Sequence, residues 1–264
     1  TISSSNNNFP SNLSTTNGNI VIKSGIQTEV SGDIIASKDI NITNIGTGGV
    51  NVKGLVNAGQ NVNIDNKNSN VVIGDNTEND NYVTAGNDIN IVVVDGSILN
   101  YGVEKTLLNA TGNLNMDVTD GTIGLGVQQT ACQGSGCTGV GPKADGSRDF
   151  TKSINANIKG KVNATTTNTD PMKPEDLVIN YAAIDSDMNI DAIKADGRVI
   201  LTVDDDFGYN NNGPRYNMIN ASTDKTKANI EGTSISLIAN GNIGQKDNKI
   251  TFNQMGGSMD ALAN

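Results

Sequence analysis

Along residues 19–73 the chain repeats one short phrase: a Gly, Asp or Asn, then an apolar residue, a small polar residue and another apolar residue. It reads Gly18-Asn19-Ile20-Val21-Ile22, Asp39-Ile40-Asn41-Ile42, Gly49-Val50-Asn51-Val52, Gln60-Asn61-Val62-Asn63-Ile64 and Asn70-Val71-Val72-Ile73. Alternation over four to six residues marks a strand with one buried face. Phrases that start roughly every ten to twenty residues, separated by Gly and Asn, mark a coil stacked on itself. The fold expected is therefore all-β, a parallel β-helix. Ile34-Ile35, Val56 and Val83 lie between the main phrases, so each turn should hold more than one strand.

A longer version of the phrase appears at Ile89–Ile98, Leu114–Gly124 and Ile235–Gly244, where an alternating strand runs into Asp-Gly or Asn-Gly. These turn dipeptides suit a hairpin. The residues after them do not mirror the preceding strand, so they are read as corners between successive strands of one coil. The coil should occupy 18–264, with polar excursions at 75–81, 125–152, 165–176 and 204–227. Residues 1–17 read as a polar linker or the continuation of a preceding coil. Strands in such a stack sit about 4.8 Å apart. Ile and Val should pile into inner columns, each fully buried side chain contributing about 2 kcal/mol, and Asn should form amide ladders. Neither end carries an amphipathic cap, so the expected partners are further coils of the same long chain or end-to-end copies.

Composition narrows the function. The net charge of the 264 residues is -10, which argues against nucleic acid and against adhesion to anionic membranes. No apolar run is long enough for a membrane helix, so no membrane insertion is expected. Aromatics are 3 %, and there is no Trp and no His, while Asn is the commonest residue. The two cysteines, Cys132 and Cys137, flank a Gly/Ser-rich loop. They read as an extracellular disulfide, since a metal site would need more ligands.

The phrases Ala58-Gly59-Gln60-Asn61-Val62-Asn63-Ile64, Ala85-Gly86-Asn87-Asp88-Ile89-Asn90-Ile91 and Ala239-Asn240-Gly241-Asn242-Ile243-Gly244 resemble the repeats of large filamentous exoproteins of Gram-negative bacteria. These are the filamentous-haemagglutinin and leukotoxin-type adhesins. The Asn-Gly-Asn-Ile-Gly corner followed by Asp247-Asn248-Lys249-Ile250 is closest to the second kind. The resemblance covers about two thirds of the chain, in pieces. It implies a right-handed parallel β-helical shaft, type V secretion and cell adhesion at the bacterial surface. It transfers no toxic site.

Candidate chemistry lies in the excursions. Asp204, Asp205 and Asp206 can bind calcium with loop carbonyls, or pair as carboxylates for glycoside chemistry. Tyr209, Arg215 and Tyr216 stand close by in a chain poor in aromatics, and can stack on a glycan or pack the loop onto the coil. Asp185-Ser186-Asp187-Met188-Asn189 has the oxygen spacing of a calcium loop. It lacks Gly at the sixth position and Glu at the twelfth, so a strand face fits it better. Thr residues do not keep the register an ice-binding array needs. The Asn-x-Ser/Thr triplets at Asn41, Asn163 and Asn220 are expected by chance in an Asn-rich chain. The expectation is a non-enzymatic structural and adhesive segment of a secreted filament. The alternatives are a β-helical polysaccharide-degrading enzyme and a self-assembling sheath or fibre subunit.

Overall fold

The computed structural model describes residues 1–75, 80–124, 150–169, 177–204 and 214–263. Within them it is all-β, with no helix, and the strands form two long sheets of 14 and 10 strands. Every pairing between named strands is parallel. The phrases read from the sequence are the strands Ile20–Val30, Ile40–Asn44, Gly49–Val52, Val62–Lys67 and Val71–Ile73. The intervening apolar pairs are strands too, at Ile34–Ala36, Val56–Ala58 and Val83–Ala85, which gives three strands to the circuits over 40–58 and 62–85. The 11-residue strand Ile20–Val30 turns a corner. Its first half pairs with Ile40–Asn44 and its second half with Gly49–Val52, so one sheet covers two sides.

The inner columns form as the alternation predicts. One runs through Leu13, Ile34, Val56, Val83, Leu108, Ala156, Ala183, Val203, Ala239 and Ala263 without losing register. A second runs Ile22, Ile42, Ile64, Ile91, Met116 and Ala164, all buried. The step from Asn115 to Asn163 spans 48 residues where neighbouring steps span 25 and 27, yet Leu114–Thr119 pairs with Val162–Thr167 residue for residue. A long insertion is accommodated because loop closure costs only logarithmically more with length.

The Asp-Gly corners are corners and not hairpins. After Asp95-Gly96 the strand Ile98–Asn100 pairs with Val71–Ile73, not with Ile89–Val94. Asp95 and Asp120 take positive φ, 53° and 55°, and a Cβ on Gly121 would stand 1.9 Å from the Gly96 carbonyl oxygen. Only Gly allows circuits to approach that closely there.

Three boundaries sharpen or differ from the sequence reading. Of the two readings of residues 1–17, the coil fits and the linker does not: Ile2–Phe9 and Leu13–Thr15 pair with Ile20–Val30 and Ile34–Ala36. The excursion expected from 165 starts later, because Thr165 to Thr167 continue a strand. Consecutive threonines are β-branched and extend it readily. The excursion expected over 204–227 contains the strand Met218–Asn220, paired with Met188–Ala195. Of the excursions at 75–81, 125–152 and 165–176, residues 76–79, 125–149 and 170–176 lie outside the described residues.

Candidate functional site

The outward side of the larger sheet carries an amide ladder. Asn63 Nδ2 donates to Asn41 Oδ1 at 2.8 Å, Asn90 to Asn63 at 2.8 Å, Asn115 to Asn90 at 2.8 Å and Asn163 to Asn115 at 2.9 Å. Each amide gives one hydrogen to the previous circuit and accepts one from the next. A second ladder sits at the corner before these strands. There a side-chain oxygen accepts the backbone N–H one circuit on: Asn19 from Asp39, Asp39 from Asn61, Asn61 from Asp88, Asp88 from Asn113 and Asn113 from Lys161, at 2.7–3.2 Å. It resumes as Asp187 accepts from Asn217, and Asn217 from Asn242. Asp187 is therefore a corner residue, and Met188 and Ile190 beside it are buried.

A third set of asparagines lies inside. Asn44, Asn66 and Asn100 are buried at strand ends. Asn44 Nδ2 donates to Gly46 O and Asn66 Oδ1. Asn100 Nδ2 faces the carbonyls of Val103, Phe150 and Ser153, and Asn155 Nδ2 those of Val103, Lys105 and Phe150. These two amides fasten the residues that follow the insertion onto the stack, supplying donors to carbonyls that water does not reach. The sequence signal was an Asn closing a strand phrase, and its inward direction went unread.

Of the six residues picked for binding, Asp205, Asp206 and Tyr209 lie outside the described residues, as do Cys132 and Cys137. Asp204 closes the strand Arg198–Asp204, and its carbonyl accepts the Asp185 N–H at 3.1 Å. Arg215 is exposed. Tyr216 is half-buried and packs against the core, and its N–H donates to Asn240 Oδ1 at 2.8 Å. Asp204 thus belongs to the smaller sheet and Tyr216 leads into a strand of the larger one. Among the described residues no group of three or more Cys, Asp or Glu side chains is placed to hold a metal ion.

Two hollows stand out. One, about 510 Å³, is lined by Asp33, Lys53, Asp75, Asp80 and Tyr82, and the Tyr82 hydroxyl donates to Asp75 Oδ1 at 2.6 Å. The other, about 860 Å³, opens where the last strands lie, over Ile243, Ile250, Phe252, Met259, Ala261 and Ala263. No helix among the described residues is long and apolar enough to cross a membrane. No protein-family model, curated protein or solved structure matches this chain.

Proposed function

We propose that the chain is a right-handed parallel β-helical shaft, a structural and adhesive segment of a secreted filament on a bacterial surface. The observation that carries this reading is the column from Leu13 to Ala263, held in register across both short corners and a long insertion. Such a stack makes length from local contacts alone, because each circuit needs only its neighbours. Its polar ladders are spent on holding circuits together, which suits a shaft. The motif resemblance to filamentous adhesins supports the same reading, with the protein outside the cell and contacts carried by the excursions. Calcium at Asp204, Asp205 and Asp206, and glycan contact by Tyr209 and Arg215, belong to this reading as its recognition elements, while Tyr216 serves to pack the loop onto the coil.

The test is to detect the native polypeptide by an antibody to this chain, measure its mass and image the cells that make it. A mass far above that of 264 residues, with label along thin surface fibres, is expected. A soluble, intracellular polypeptide would refute the reading. A second reading, an end-to-end fibre subunit, draws on the exposed Met259 and Leu262 of the edge strand Met259–Ala263. It predicts fibres from the purified chain alone.

A further inference from the structure

The tetrapeptide Asn-Gly-Asn-Ile occurs twice, at 17–20 and at 240–243. Local sequence gives the two copies the same intrinsic chemistry, so any difference in their behaviour comes from the fold. An Asn followed by Gly is the pair most open to attack by the next backbone nitrogen on the side-chain amide, because Gly offers no side chain to hinder it.

The two environments differ. Asn17 is exposed and its side chain makes no hydrogen bond among the described residues; the nitrogen that would attack it, Gly18 N, donates to Ser37 Oγ in an exposed bond. Gly18 sits in open space: a Cβ placed on it would meet no atom within 4 Å. Asn240 is held at both ends of its amide, with Nδ2 donating to Pro214 O at 3.2 Å and Oδ1 accepting from Tyr216 N at 2.8 Å. Gly241 is buried, and a Cβ there would stand 2.5 Å from Tyr216 O.

We propose that Asn17 is a site of spontaneous deamidation in the folded protein and that Asn240 is protected. The deprotonated Gly18 nitrogen attacks Asn17 Cγ, and the new C–N bond closes a succinimide as the Cγ–Nδ2 bond breaks and ammonia leaves. Water then opens the ring at either carbonyl, giving aspartate or isoaspartate. The isoaspartyl form adds a methylene to the backbone between Leu13–Thr15 and Ile20–Val30. Gly18 N donates to Ser37 Oγ at 3.0 Å, Lys38 N to Gly18 O at 3.2 Å and Asp39 N to Asn19 Oδ1 at 3.2 Å. A longer link there dislodges these contacts and loosens residues 1–15 from the stack. The modification is thus an ageing step confined to one end of the molecule.

The experiment incubates the intact chain in mildly alkaline buffer and follows each site by peptide mapping, reading a gain of about one dalton and the isoaspartyl isomer by fragmentation. Asn212-Gly213, outside the described residues, is resolved on its own peptide. The exposed bond from Gly18 N to Ser37 Oγ must break before Asn17 reacts and two bonds before Asn240 reacts, so Asn17 is expected to react roughly fivefold faster. In denaturant the two rates should converge. Equal rates in the folded protein, or a faster Asn240, would overturn the proposal. So would a ratio that survives denaturation, since the fold would then not be its cause.

Discussion

The smaller sheet behaves as two different surfaces built on one set of columns. Its inward residues are the same kind throughout: Ile34, Val56, Val83 and Leu108 before the insertion, and Ile179, Leu201, Val203 and Leu237 after it, all buried. The outward residues are not. Before the insertion they are Ser14, Ile35, Asn57, Thr84 and Asn109, exposed or half-exposed. After it they are Ala182, Ile184, Ile200, Thr202 and Ile238, at most 4 % exposed, with Phe150 packed on Ala182 and Ile184 in a second cluster. Inner columns decide that the circuits stack. Outer residues decide whether that side of the sheet meets water or protein.

The largest effect should come from charging the dry outer surface. Ile238→Asp puts a carboxylate at a buried position, and is expected to destabilise by on the order of 3–5 kcal/mol. Thr84→Asp, the outward position on the wet part of the same sheet, should stay within about 0.5 kcal/mol. Denaturant unfolding of both variants checks this, and equal losses would erase the distinction between the surfaces.

Inward truncations should ignore the distinction. Ile91→Ala in the first part and Leu201→Ala in the second each remove a fully buried side chain from a column. Each should cost about 2–4 kcal/mol. If one were near neutral, the two parts would not share a core.

Much of this was legible in the chain. The apolar phrases gave strands, and Asp-Gly gave corners, because alternation and positive φ are local properties that single residues report. The dry outer surface was present as well, in the unbroken run Val199-Ile200-Leu201-Thr202-Val203, which alternates with nothing. What stayed hidden depends on contacts between circuits. The amide ladder was expected, but not where it stops. The pairing of Val162–Thr167 with Met188–Ala195 slips between Val162 and Asn163, so Asn163 faces Ala192, and Asn189 Nδ2 turns instead to Lys159 O at 3.3 Å. A bulge of one residue leaves no mark in composition. The tyrosines near 204–216 stand out in the sequence because aromatics are rare in it. Rarity says nothing about where a side chain points, and Tyr216 points into packing.

The ladder offers a finer comparison across that slip. Asn90→Ala deletes a donor and an acceptor at once, leaving Asn63 Oδ1 and Asn115 Nδ2 to find water. A loss of about 1–2 kcal/mol is expected. Asn189→Ala, beyond the bulge, removes one exposed bond and should cost at most about 0.5 kcal/mol. Similar costs at both positions would mean that the ladder adds nothing to single hydrogen bonds. Hydrogen exchange of the flanking amides would show whether protection falls along the whole ladder or only beside the substitution.

The smallest effect concerns Tyr181, inward on the strand Ile179–Ile184, fully buried, with a hydroxyl that makes no hydrogen bond. Its neighbour across the sheet is the aliphatic Ile154. Burial pushes the phenol well above its ordinary value, since the phenolate would be stranded without water. Between the unfolded and folded values the unfolded chain holds fewer protons, so stability is complete below about pH 10 and falls as pH rises past it. Tyr181→Phe removes both the titration and the unsatisfied oxygen. At neutral pH it should be neutral or stabilising by up to about 1 kcal/mol. Above pH 10 the advantage should widen, and thermal melts of the two proteins against pH would follow it. A variant that is less stable at neutral pH, and that loses stability above pH 10 as steeply as the parent, would mean that the hydroxyl has a partner in solution and that this part of the core is wetter than its packing implies.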